Sequence, residues 1–163
     1  MRIDVVEAGH RGDEATARSA LEAPDAATRA LALGALARMG RLEVADLEPA
    51  VADPAPAVRR RAAEDGGRLT TGDPRLLLAA QLDDAEPSVV EMAAWALGEH
   101  EPEPAAVAGL AGVATAHEDP LCREAAVAAL GALGDPAGLQ AILAGTRDRA
   151  TVRRRACLLY TSP

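Results

Sequence analysis

The stretch DPLCREAAVAALGALGDP (119–136) holds one complete helix and the start of the next. Cys122, Ala126 and Leu130 recur at every fourth residue, the spacing that lines one face of an α-helix. Asp119 precedes the run as an N-cap, and Pro120 falls in the first turn, where its missing N–H costs nothing. Gly134 follows the run and can take the left-handed conformation that ends a helix. The GDP at 134–136 repeats the opening signal, with an Asp to cap and a Pro to start another helix.

Four other segments align with this one: DAATRALALGALARMG (25–40), APAVRRRAAEDGGRL (55–69), EPSVVEMAAWALGEH (86–100) and RATVRRRACLL (149–159). Anchored on Arg29, Arg59, Val90, Arg123 and Arg153, the steps are 30, 31, 33 and 30 residues, the period of a two-helix repeat. The core columns read Thr28, Ala32, Leu36; Val58, Ala62, Gly66; Val89, Ala93, Leu97; and Cys122, Ala126, Leu130. Pro56, Pro87 and Pro120 share the starting column, Asp25 supplies a second N-cap, and Gly40 a second end. Shorter apolar stretches lie between, at 13–23, 41–53, 73–84, 102–119 and 135–148. Each repeat is thus a first helix, a tight turn and a longer anchored second helix. One pair cannot bury its apolar face alone, whereas stacked pairs share a continuous core. The expected fold is all-α, an α-solenoid of about five two-helix repeats near 13–40, 41–70, 71–100, 101–134 and 135–156, after an N-terminal segment 1–12. The second repeat departs from the pattern, because Asp65, Gly66 and Gly67 replace a core Leu and its surroundings. That helix is expected to end early, with GGRLTTG (66–72) as the softest joint.

Composition agrees with this pattern. The chain has 163 residues, 49% of them hydrophobic, yet only 1% are aromatic, Trp95 and Tyr160. A core made of Ala, Leu and Val favours helices packed close together. Net charge is −8, which argues against a general phosphate-backbone binder. No stretch approaches the ~20 apolar residues of a membrane helix, and the N-terminus lacks a secretion signal. Cys122 and Cys157 form no CxxC and are expected to be reduced thiols in a cytoplasmic, monomeric protein. The ending CLLYTSP (157–163) resembles nothing earlier in the chain. It reads as a translated sequencing-adapter end, so a non-native tail on a truncated repeat array is expected there.

The segments DPAPAVRRRAAEDGG, PSVVEMAAWALGE and DPLCREAAVAALGALGDP resemble HEAT repeats of the short, PBS-lyase-like bacterial type, over roughly residues 13–156. That resemblance implies architecture and several possible activities. Deoxyhypusine hydroxylase, built from similar repeats, places His-Glu pairs at the starts of second helices to bind two irons. The matching positions here are Val90–Glu91 and Arg123–Glu124, with the Glu present and the His replaced. The one His-Glu pair, His117–Glu118, precedes its helix and occupies the wrong column. Bilin lyases share the repeat, but no residue here localises chromophore handling. A HEAT-like DNA glycosylase would need a basic, aromatic-lined groove, and the acidic balance excludes it. The RRR runs at 59–61 and 153–155 are read as structural, since Arg29, Arg59, Arg123 and Arg153 share one column. In such repeats that position pairs with acids of the next repeat.

A surface remains. The resemblance places second helices on the concave side of the solenoid. The column two past the core anchor reads Ala30, Arg60, Glu91, Glu124, Arg154, and one turn later Gly34, Glu64, Trp95, Ala128, Leu158. Arg60, Glu64, Glu91, Trp95 and Glu124 are therefore the candidate partner-binding residues, with Trp95 as the aromatic anchor and the acids selecting a basic segment. The leading expectation is a non-catalytic protein-interaction scaffold, with no enzyme activity, metal or cofactor. The alternative is an accessory or subunit of a bilin-lyase-like enzyme, or a metal-dependent HEAT-repeat hydroxylase.

Overall fold

The computed structural model describes residues 2–161, leaving the side chains of Ala150, Tyr160 and Thr161 outside the description. All of its regular elements are helical: α1 (Arg2–Arg11), α2 (Glu14–Ser19), α3 (Ala26–Met39), α4 (Val44–Val51), α5 (Pro56–Gly66), α6 (Arg75–Ala80), α7 (Pro87–Gly98), α8 (Pro104–Ala116), α9 (Pro120–Leu133), α10 (Leu139–Gly145) and α11 (Ala150–Thr161). Short 3-10 turns extend α2 and α6 and lead into α10. The fold class is an all-α solenoid of helix pairs, and its residues group into two compact units, Met1–Pro74 and Arg75–Pro163.

In the first unit, second helices α1, α3 and α5 pack side by side, α2 lies against α1 and α3, and α4 lies against α5. The second unit repeats the scheme. Helices α7, α9 and α11 form one layer, α6, α8 and α10 the other, and each pair packs on the next. The residues at the N-terminus form α1, which packs on α3 as the later second helices pack on one another. Val5, Ala8 and Gly9 bury against α3, while Arg2 donates from Nε and Nη2 to Asp25 Oδ1 at 3.1 and 3.0 Å. At the other end, α11 continues past residue 156 to Thr161, with Val152 and Ala156 fully buried and Leu159 lying over Gly131. The expected tail falls partly on this helix; Ser162 and Pro163 lie outside the described residues.

The helix signals act as their chemistry dictates. Asp25 accepts from the Thr28 amide and Asp119 from the Leu121 amide, each filling an orphan donor of a first turn. Pro56, Pro87 and Pro120 occupy first turns. Gly40 and Gly134 cap α3 and α9 at φ 63° and 65°, a conformation that a Cβ disfavours. The core columns are buried throughout, with Ala32, Leu36, Ala62, Val89, Ala93 and Ala126 at 0% exposure. Small residues let the layers close up: a Cβ added at Gly98 would come within 3.1 Å of the Ala129 Cα. Helix α5 ends at Gly66 after 11 residues, where α3 and α9 run 14, and the boundary between the units follows at Pro74.

Arginine clamps tie one repeat to the next. Arg123 Nε and Nη2 meet both oxygens of Asp148 at 2.6 and 2.8 Å, while Nη1 donates to the His117 and Glu118 carbonyls at 2.7 and 3.0 Å. Arg29 does the same with Asp53 at 2.7 and 2.8 Å and with the Ala23 and Pro24 carbonyls. Hydrogen bonding from Arg123 holds the Asp148 carboxyl at about 2, and Arg29 likewise lowers Asp53. At Arg29 and Arg123 the guanidinium closes the turn of its own repeat and grips the turn after it, while Arg59 donates to the Asp53 and Pro54 carbonyls of its own turn.

The two thiols differ sharply. Cys122 is buried in the core column, its Sγ–H donating to the Pro87 carbonyl at 3.2 Å, and burial pushes the thiol up to about 11. Cys157 is exposed. A disulfide reagent such as Ellman's reagent is expected to titrate Cys157 rapidly in the native chain. Cys122 should react only after urea unfolding, because the thiolate is the nucleophile. Two fast thiols in the native state would contradict the burial.

Candidate functional site

The sequence pointed to five side chains on second helices, and the structure places each. In the first unit, Arg60 is exposed on α5 and Glu64 half-buried one turn on. Glu64 is engaged by Arg68 at 2.8 Å and lies 3.9 Å from Arg61; the Arg68 hydrogen bond holds its carboxyl below the usual range. In the second unit, Glu91 and Trp95 stand one turn apart on α7, Glu91 exposed and Trp95 36% exposed. Glu124 on the adjacent α9 lies 3.7 Å from Arg155 of α11. Exposed ion pairs of this kind contribute little to stability, about 0–1 kcal/mol. They still leave Glu64 and Glu124 partly neutralised; within the second unit, Glu91 and Trp95 are the more accessible of the candidate side chains.

A second feature lies in the first unit, where the spacing argument placed nothing. A groove of about 330 Å³ runs between α3 and α5, lined by Arg38, Arg61, Asp65, Arg68, Thr70 and Thr71 over a floor that includes Gly34, Ala37, Leu42 and Leu69. Asp65 occupies a column held in the other complete repeats by the buried alanines Ala35, Ala96 and Ala129. Its side chain is only 2% exposed and takes the Arg61 Nε–H at 2.7 Å. Desolvation nevertheless pushes the Asp65 carboxyl above its ordinary value, outweighing the pull of Arg61. Gly34 makes the arrangement possible, since a Cβ there would stand 2.8 Å from Arg61 Cζ, closer still to its Nη2. The readable signals were the Arg61–Asp65 spacing of four residues and a glycine in the column that carries Glu64 and Trp95 elsewhere.

Among the described residues, no group of three His, Cys, Asp or Glu side chains could hold a metal ion. The columns matched to iron ligands are occupied otherwise: Val90 is fully buried, and Arg123 is committed to Asp148. His117 accepts the Asp119 amide through Nδ1 at 3.0 Å, within the turn before α9. No helix among the described residues is long and apolar enough to cross a membrane.

Compared with known families, residues 74–160 match the family model described as HEAT repeats. The chain is a HEAT-repeat protein. None of the curated proteins matches it. Among solved structures, it is similar to human deoxyhypusine hydroxylase in complex with glycerol, with a TM-score of 0.63 and 21% identity. That likeness covers 93% of this chain and 62% of the hydroxylase chain, so the present chain spans less than two thirds of that protein's length. At this identity the likeness establishes the fold.

The match corrects two expectations, that a non-catalytic scaffold is the leading reading and that the chain is no enzyme. An enzyme is built on this architecture over nearly the full length of the present chain. The physical reason is that the repeat pattern records only core and turn positions. Catalytic groups on such a fold sit on a few exposed columns, which the pattern leaves free to vary. The regularity of the repeats therefore carried no information against catalysis.

Proposed function

We propose that this HEAT-repeat chain serves an enzyme of the same architecture as an accessory part or subunit. The observations that support this reading are a fold shared with a hydroxylase over 93% of the chain and the side chains at the ligand-matched columns, a fully buried Val90 and an Arg123 paired with Asp148. The residues at the ligand-matched columns do not fit an iron centre, so no step is derived through one. Repeat solenoids commonly use such surfaces to engage other proteins. Here that role falls to Glu91, Trp95 and Glu124 on second helices of the second unit, and separately to Arg60 and Glu64 on α5 of the first. A basic protein segment suits the acids, and the Trp supplies contact area.

Two measurements test it. The purified chain is loaded anaerobically with ferrous iron, desalted and assayed for metal; well under one iron per chain is expected. Stoichiometric, tightly held iron would replace the accessory reading with that of a metal enzyme. In parallel, an arginine-rich peptide is titrated against the fluorescence of Trp95, the single Trp of the chain. A saturable change is expected that Glu91→Lys abolishes and Glu118→Lys leaves in place; equal loss in both variants would mean only non-specific attraction to an acidic protein.

A further inference from the structure

We propose that the groove between α3 and α5 binds a small organic anion, a carboxylate or phosphate ester carrying an apolar body. The proposal is independent of the accessory role above, and it rests on three features of the first unit.

The first is size and shape. The groove holds about 330 Å³, within the range of ligand sites and larger than a bare ion requires. The second is charge. Three guanidiniums, Arg38, Arg61 and Arg68, line it against the single carboxylate of Asp65. Counting Glu64, which engages Arg68 from beside the groove, one positive charge is left over in a chain of net charge −8. Guanidinium forks match carboxylate and phosphate oxygens in plane, which gives orientation as well as attraction. Thr70 and Thr71 add hydroxyls to the lining, while Ala37, Leu42 and Leu69 supply apolar surface for the rest of the ligand.

The third feature is preorganisation. Asp65 is nearly inaccessible and holds Arg61 at 2.7 Å, and the absence of a Cβ at Gly34 lets the guanidinium come up against α3. A buried ion pair seldom exceeds an apolar replacement in stability. The other complete repeats bury an alanine in this column. Placing an acid there fixes one arginine rigidly at the floor of a concave site, which is the arrangement that lowers the ordering cost of binding.

The test is an NMR titration of the full chain with phenyl phosphate, benzoate and inorganic phosphate. With phenyl phosphate and benzoate, saturable shifts are expected at the Leu69, Thr70 and Thr71 amides and at the Arg61 side-chain N–H. Inorganic phosphate should bind at least fivefold more weakly. Arg38→Gln and Arg68→Gln should each weaken phenyl phosphate at least fivefold, while Arg147→Gln in the second unit leaves it unchanged. Gly34→Ala, which drives the Arg61 guanidinium out of its seat, should abolish binding with helical circular dichroism retained. Unchanged affinity in both arginine variants would overturn the proposal, leaving Arg38 and Arg68 as counter-charges for the C-terminal ends of α3 and α5. Equal binding of inorganic and phenyl phosphate would overturn the apolar part of the ligand. Equal shifts around Arg147 would reduce the effect to general ion pairing.

Discussion

Replacing Arg123 with Met is expected to destabilise the second unit by about 2 kcal/mol, between the values for exposed and fully buried ion pairs. The substitution keeps the length of the side chain and removes the guanidinium. It strands the Asp148 carboxylate, 19% exposed, and takes the donor from the His117 and Glu118 carbonyls. Arg153 occupies the same column of α11 but is exposed, and none of the ion pairs described above involves it. Arg153→Met should therefore stay within about 0.5 kcal/mol of wild type. Urea unfolding followed by Trp95 fluorescence reads both variants within one unit, since Trp95 lies on α7 beside α9.

The pH dependence of that difference has a definite sign. The Asp148 carboxyl sits at about 2 in the folded chain, against ~3.9 unfolded. A depressed folded-state value means that the clamp's contribution is fully present above ~4 and is lost as pH falls through about 2. The gap between wild type and Arg123→Met should thus be constant from neutral pH down to ~5 and close below it. A gap that persists unchanged to pH 2 would show that the carbonyl contacts, rather than the carboxylate, carry the effect.

The clamps also show what the sequence made readable. The arginine column was visible as spacing, whereas its pairing with acids of the next repeat followed from the resemblance to HEAT repeats, and the structure shows that pairing at Arg29 and Arg123. Helix starts at Pro56, Pro87 and Pro120 and ends at Gly40 and Gly134 were readable as well: each is a local backbone requirement. Helix α1 was not. Its buried face is only Val5, Ala8 and Gly9, with Ile3 and Val6 exposed beside them, so no four-residue apolar column announces it. The α3–α5 groove was hidden differently. Asp65 and Gly66 looked like an interruption of the core, and α5 does end early there. Whether Asp65 is a defect or a partner depends on Gly34, thirty-one residues away in sequence, leaving room for Arg61. Such a three-residue dependence across two helices has no period and cannot be read from spacing. Glu91 and Trp95 could be assigned to a face from the register alone, whereas the ion pairs that occupy Glu64 and Glu124 depend on rotamers the register does not determine.

Leu130→Ala is expected to cost about 3 kcal/mol, the middle of the range for deleting a buried leucine. Leu130 is 1% exposed, and its Cδ2 would stand 2.9 Å from a Cβ added at Gly138, in the turn leading to α10. The side chain thus fills space between α9 and the following first helix. This core has few aromatic or long side chains that could swing into a vacancy. Ala126 and Ala129 on the same helix are already as small as a side chain with a Cβ can be, so the void should persist and the cost stay well above the transfer term alone. The second repeat offers an internal comparison, since Gly66 stands in this column and α5 runs 11 residues against 14 in α9, with α7 between them at 12. If leucine in this column is what extends a second helix, hydrogen exchange in Leu130→Ala should rise most in the last turn of α9, Leu130 to Leu133, and little at Cys122 to Ala126. Uniform acceleration along α9 would mean that the helix opens as one body and that its length is set by Gly134 instead. Repeat arrays couple chiefly to their neighbours. The same experiment should therefore show α8, α10 and α11 loosened with α9, and a change confined to α9 would contradict a shared core.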